Sequence, residues 1–434
     1  MRVQTLCPSK DTSLPAVSPL TTPTFSPTAP TPLAVTGWIP ELHALVDQSG
    51  PRFARSEARQ RVLAYLSGLL SPIARKNGWQ LAEQAGDRTP YALQHLLGRA
   101  QWDADAVRDD LHAYVRAHLA DPAAILIIDE TSFLKKGTHS VGVGLQYSGI
   151  TGKIENCQVG VFLVYASATG HTFYDRALYL PKDGAAAPAR RRQADVPEEV
   201  RFATKPQLAR HMVERALDAG LLVGWVVGDE VYGNDGWLRQ ALEQRHQRYA
   251  LTVGATQSFV IGWGHQRARS VIADLPTEAW QRLSAGDGST GPRLYDWARV
   301  RLNNAHSPEW ERWLVARRTL PAPDDPRSSA YFVVFAPGDT SVEERARVIG
   351  RRWTSETCFE ESKGEVGLDQ YEVRSWHGWH RHMTLALLAH AFLTVMRAHG
   401  NALVGEEPTK GKKGGPRRES SLQAFKGTRG LCGL

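Results

Sequence analysis

Apolar positions along the chain fall into distinct regimes. Between Arg52 and Leu119 they recur at helical spacing: Val62, Leu63, Leu66, Leu69 and Leu70, then Leu93, Leu96 and Leu97, then Leu111, Val115 and Leu119. This predicts an all-helical segment. One of its helices is expected to start at Asp87-Arg88-Thr89-Pro90, with Thr89 as cap and Pro90 in the first helical position. At Ala123 the pattern changes to a continuous apolar run, Ala123 to Ile128, of the kind found in a strand buried on both faces, and the run ends in Asp129-Glu130. Strands are predicted at Val141 to Tyr147 and Gln158 to Ser167 with a turn at Gly149 to Lys153, and a weaker one at Phe173 to Leu180. Helical spacing returns over Lys205 to Ala219. It feeds a second apolar strand from Val223 that is closed by Asp229-Glu230, and Tyr249 to Val253 is a further short strand.

From Gly254 to Arg327 this rhythm gives way to a stretch rich in Gly, Trp, Arg and Asn, with strands expected at Trp313 to Arg317 and Tyr331 to Ala336. A long helical region, Ser341 to His399, follows. The Pro-, Thr- and Ser-rich stretch from Pro15 to Pro40 and the Gly-, Lys- and Arg-rich stretch after Glu406 have too little apolar content to pack. The expected organisation is therefore a disordered leader (1–50), a helical N-terminal module (51–120), an α/β core (121–253 and 331–400) interrupted by a largely β insertion (254–330), and a loose basic tail (401–434).

Composition narrows the function classes. Lys and Arg total 52 against 45 Asp and Glu, a formal charge of +7, which favours a polyanionic partner such as nucleic acid. Arg52, Arg55, Arg59, Arg61, Arg75, Lys76, Arg88 and Arg99 on the N-terminal helices suit a helix-turn-helix-like DNA-binding module. Cys7, Cys157, Cys358 and Cys432 are scattered, indicating neither a zinc knuckle nor a disulfide framework and fitting a reducing cytoplasm. The apolar runs are too short or interrupted to span a bilayer, and no secretory signal is evident. No glycine-rich phosphate loop or Ser-His-Asp pattern is present, so neither a nucleotide cofactor nor a covalent nucleophile is expected.

Two apolar strands each deliver an aspartate at the carboxyl end, about a hundred residues apart. If the strands are sheet neighbours, Asp129 and Asp229 emerge at one edge, where hard oxygen ligands suit a divalent cation. The simpler role for each acid is to cap the turn that follows it. A third carboxylate from a helix would complete a two-metal site.

The stretches Ile127 to Gly137, Gly152 to Val161, Val227 to Gly233 and Gly364 to Trp379 resemble the DDE transposases of insertion sequences, and the likeness extends from about Arg52 to about His399. In the relevant branch the third acid lies in a helix with the signature Y-x2-R-x3-E-x6-K. Arg352, Glu356 and Lys363 fill the last three places in register, whereas Ile349 stands at the tyrosine position and Ser355 and Thr357 flank the acid. The resemblance implies an RNase H-like mixed sheet flanked by helices. It further implies that Asp129, Asp229 and Glu356 bind Mg²⁺, with Mn²⁺ able to substitute, and that Arg352 and Lys363 hold DNA phosphates. The implied reaction is hydrolysis at the transposon ends followed by strand transfer into target DNA, by a dimer or larger assembly acting on double-stranded DNA in the cytoplasm. Two other readings share the scaffold: a DNA-binding protein that has lost catalysis, and a nuclease that cuts without joining.

Lys135, Lys136 and Lys153 are close to the first acidic strand and are candidates to line a DNA channel. His377, His380 and His382 match no zinc spacing and are assigned to a helix start or a DNA-facing surface. Trp297, Trp310 and Trp313, in the insertion, are expected in the core, although related enzymes use an aromatic there to stack on a flipped base.

Overall fold

A computed structural model describes residues 38–288, 291–303, 309–320 and 328–405, so residues 1–37 of the leader expected over 1–50 and 406–434 of the tail expected over 401–434 lie outside the described residues. The helical spacing before residue 120 becomes five helices: α1 (Trp38–Ser49), α2 (Ser56–Leu70), α3 (Gly78–Gln84), α4 (Tyr91–Gly98) and α5 (Ala104–Leu119). Helix α1 corrects the expected leader boundary. Trp38, Leu42, Leu45 and Val46 form a buried stripe at i, i+4, i+7 and i+8, and Pro40 is tolerated because it falls in the first turn. The cap predicted at Thr89 moves on by one: Pro90 is itself the N-cap of α4 and the helix begins at Tyr91.

Next come β1 (Ile125–Leu134), β2 (Gly144–Ser148), β3 (Lys153–Ala166) and β4 (His171–Tyr179). The strand expected from Val141 starts three residues later, because the Val141 amide bonds to the carbonyl of Arg374 instead of a ladder partner. Short helices α6 (Lys182–Ala186) and α7 (Pro188–Gln193) precede α8 (Lys205–Asp218), which opens with a capping box between Thr204 and Gln207. Then follow β5 (Trp225–Gly228), α9 (Glu230–Gly233), α10 (Gly236–Gln244) and β6 (Tyr249–Val253). A small hairpin of β7 (Ser258–Ile261) and β8 (Gly264–Arg267) and helix α11 (Ala268–Ala273) lead into β9 (Gln281–Gly288), β10 (Gly291–Arg301), β11 (Trp310–Thr319) and β12 (Ser329–Pro337). The long helical region expected after Ser341 divides into α12 (Val342–Gly350), α13 (Thr354–Glu365) and α14 (Trp376–Gly405), so residues 401–405 continue a helix and do not begin the tail.

The architecture is α/β, a mixed sheet flanked by helices with a helical N-terminal part. The strand order is β2-β3-β1-β5-β6-β12-β11-β10-β9, and β4 also pairs with β3. Only β1, β5 and β6 run parallel; β3 lies antiparallel to β1 and β12 antiparallel to β6. Strands β9 to β11 of the predicted insertion therefore extend the central sheet through β12. One face of the molecule is closed by α14, about 45 Å long at 1.5 Å per residue. Its middle is buried nearly all round, from Met383 to Met396. It packs against the N-terminal helices and β4, so a single apolar core runs from Trp38 to Met396.

Candidate active site

In the parallel pair of β1 and β5, Ile128 stands opposite Gly228. The next residue in each case is an acid, so the two acids stand at the same level, Asp229 just past the end of β5 and Asp129 within β1. Strand β5 stops there, and Asp229 caps α9 by accepting the Val231 amide through Oδ1 at 2.9 Å. Strand β1 continues beside β3, with Asp129 opposite Phe162. Asp229 thus does cap the next helix, as the simpler reading held, and it also adjoins Asp129.

Alternation along β1 sends Asp129 and Glu130 to opposite faces. Asp129 faces α13. Its Oδ2 accepts from the Ser355 hydroxyl at 2.6 Å, its Oδ1 accepts from the Glu130 amide at 2.8 Å, and Arg352 Nη1 lies 3.9 Å from Oδ2. The same guanidinium donates through Nη2 to Glu356 Oε1 at 3.4 Å. Arg352, in the short 3-10 turn that leads into α13, therefore sits between two of the three acids. Lys363, two turns beyond Glu356, reaches back to β1 and donates to Thr131 Oγ1 at 2.8 Å.

The carboxyls repel one another inside a partly desolvated edge. Burial, then the charges of Glu130 and Asp129, push the Asp229 carboxyl up to about 6. Burial also raises Asp129, opposed by Ser355 and Arg352, and it raises Glu356, opposed by Arg352. Burial lowers the Lys363 ammonium. An acid cluster of this kind is stabilised by a cation.

In chemistry the donors suit a hard divalent ion, since all three are carboxylates; Asp129 and Asp229 stand side by side and Glu356 is linked to Asp129 through Arg352. In the arrangement described, the cation beside them is the Arg352 guanidinium, and among the described residues no three His, Cys, Asp or Glu side chains come close enough together to hold a metal. An ion held by Asp129 would compete with Arg352 and the Ser355 hydroxyl at Oδ2.

Two features of the site escaped the sequence reading. Ser355, noted only as a departure from a signature, is fully buried and is the hydroxyl that fixes Asp129. Glu130 binds Lys205 Nζ at 2.6 Å and accepts from the Tyr232 hydroxyl, and its charge acts on Asp229 ahead of that of Asp129. The adjacent Asp-Glu pair, read with strand alternation, carries the signal for the latter. Arg293 and Arg317 add positive charge beside Arg352, and Arg293 is anchored on the carbonyls of Ala285 and Gly350.

Other candidates are placed differently. Lys136 is exposed, but Lys135 lies 3.7 Å above the Tyr371 ring, and burial lowers its ammonium to about 8. Lys76 is buried and donates to the Ser71 carbonyl, so it is not a surface contact of the helical module; Arg52 and Arg61 pair with Asp110 and Asp87. His377 is exposed at the start of α14, as expected of a helix-start residue, whereas the DNA-facing reading fails for His382, which is buried and bonded to the Tyr65 hydroxyl at 2.7 Å. His380 bonds the Trp376 carbonyl. Trp297 is fully buried, Trp310 stacks on Phe335 at 5.0 Å, and Trp313 lies beneath the Arg299 and Arg345 guanidiniums.

Acid-ended parallel strands on a mixed sheet flanked by helices agree with a family match over residues 50–271, to the DDE superfamily endonucleases. That span contains Asp129 and Asp229. Over 317 residues, 70% of this chain and 74% of the relative, the sequence is 30% identical to the probable transposase for insertion sequence element IS701 of Microchaete diplosiphon. The chain belongs to the DDE superfamily of endonucleases, among the transposases of insertion sequences.

Proposed function

We infer that this transposase cuts DNA at the ends of its insertion sequence and joins the freed 3′ ends to target DNA, with Asp129, Asp229 and Glu356 as the ligands of Mg²⁺, for which Mn²⁺ can substitute. The observation that carries this reading is the register of β1 and β5, which sets two aspartates side by side where β5 ends, with Glu356 linked to Asp129 through Arg352. The bound ions supply charge neutralisation and a more acidic attacking oxygen.

The protein's own groups do the rest. Asp229, held rigid by its cap on α9, and Asp129, on the continuous strand, form the fixed wall of the site. Glu356 approaches from α13 and completes it. On release from the acids, Arg352 turns its guanidinium to a DNA phosphate, and Lys363 and Lys136 contribute further phosphate contacts, the kind that dominate DNA affinity. The active form is at least a dimer, because two ends must be cut and joined together.

The test is to incubate the full-length protein with Mg²⁺ and DNA carrying the element's own ends, beside Asp129→Asn. Cleaved and joined products are expected from the wild type, with a loss of roughly a hundredfold or more in the variant, the scale of removing one member of a preorganised charge-stabilising site. Cleavage without joining indicates a nuclease, and end binding without cleavage a non-catalytic DNA-binding protein.

A further inference from the structure

Strand β2 is an edge strand of the sheet, and the hairpin it makes with β3 carries a cluster of exposed apolar side chains. Leu145 is 78% exposed, Tyr147 64%, Ile150 57% and Ile154 67%. Tyr147 stands opposite Ile154 in the antiparallel register, and Leu145 lies two residues along on the same face, so the side chains adjoin. The opposite face is held by the protein: the buried Ser148 hydroxyl pairs with that of Ser132 at 2.7 Å, and Gln146 donates to the Cys157 carbonyl. The apolar face is thus presented outward by a fixed support. Exposed apolar side chains gathered on one face, unlike singly scattered ones, are often functional.

Charge and size select the partner. Between residues 134 and 156 Lys136 and Lys153 are exposed and Glu155 is the one acid, while Lys135 packs on the Tyr371 ring. Lys153 pairs with Glu155 yet its side chain remains 68% exposed. Four apolar side chains fall well short of the roughly 20–30 residues a side of a standard protein interface. Apolar side chains with flanking lysines instead fit a DNA groove, where phosphate contacts add affinity and aliphatic groups press between base steps.

Position makes the contact reachable. Strand β3 carries Phe162, the partner of Asp129, and runs nine residues from there to Lys153. At about 3.3 Å per residue the hairpin stands at most about 30 Å from the acids, the length of about nine base pairs. We propose that the β2–β3 hairpin is a DNA-binding wedge, which seats Tyr147, Ile150 and Ile154 in a groove within one helical turn of the scissile phosphate, with Lys153 on the adjoining backbone. This rests on the reading of the acids as a DNA-cutting site.

The experiment uses full-length protein and a 40-base-pair duplex containing the element's terminal sequence. It compares the wild type, Tyr147→Ser/Ile150→Ser/Ile154→Ser, Lys153→Ala and Asp129→Asn by fluorescence anisotropy and hydroxyl-radical footprinting, with thermal melting and sedimentation as controls for fold and oligomeric state. The triple variant should melt like the wild type, bind on the order of tenfold more weakly, and lose protection at up to ten base pairs from the cut while keeping it over the cut itself. Lys153→Ala should lower the slope of log affinity against log salt by about one. Unchanged affinity and footprint in the triple variant overturn the wedge, as does an unchanged footprint with a loss of self-association, which assigns the patch to a second copy. Asp129→Asn should bind like the wild type without cutting. A wild type that neither binds nor cuts this duplex refutes the underlying function instead.

Discussion

Ser355 decides how Asp129 is held before any ion arrives. It is fully buried and donates at 2.6 Å to a carboxylate whose burial disfavours charge. Ser355→Ala should raise the Asp129 carboxyl further and cost about 1.5–3 kcal/mol, the range for a hydrogen bond to a charged group, read as a lower urea midpoint with unchanged m. No loss of stability would mean that Arg352 and the Glu130 amide hold the acid without the serine. The two aspartates were legible in the sequence because each ends an apolar run. The serine was not, since its role depends on α13 crossing β1 some 226 positions away in the chain. The histidines show the same limit, for nothing in their spacing tells that His382 turns inward to Tyr65.

At the scale of elements, what holds Asp229 in place is the close seating of α9 on β6. A Cβ at Gly233 would overlap the carbonyl oxygen of Thr252, backbone that has no room to yield. Gly233→Ala should therefore lift α9, cost about 3 kcal/mol or more, and reduce cleavage beyond what the stability loss explains, because the Asp229 cap moves with the helix. Melting and single-turnover cleavage measured on one preparation check both parts, and a variant that melts and cuts like the wild type contradicts them. Strands and helices with strong periodicity were legible to within a few residues. The boundary of α1 was obscured by the Pro-rich text that runs up to Pro40, although its buried stripe is plain once Trp38 is taken as the start. That β9 to β11 join the central sheet was beyond periodicity, which reports the faces of a strand but not its neighbours.

Across the whole molecule, one core binds the N-terminal helices to the catalytic sheet, and buried histidines make that core sensitive to acid. Burial lowers His112 and His382 to about 4 and His380 to about 3, and it lowers His390 as well. Between about pH 6.5 and 4 the unfolded chain takes up protons that these residues refuse when folded, so stability falls as pH falls. Asp229, at about 6, acts in the opposite sense, as do Asp129, Glu356 and Glu365, whose carboxyls burial raises. Three histidines lowered to about 4 or below stand against one carboxyl raised to about 6, and the melting temperature should drop steadily from pH 7 to pH 5; a flat profile contradicts the assignment of these histidines as buried and neutral. The account turns on the acids gripping a divalent ion together, and this is most directly read by Mn²⁺ electron paramagnetic resonance on the full-length protein. Bound Mn²⁺ that Mg²⁺ displaces, and that is lost in both Asp129→Asn and Asp229→Asn, is the predicted result. Equal Mn²⁺ binding by the wild type and both variants would contradict it.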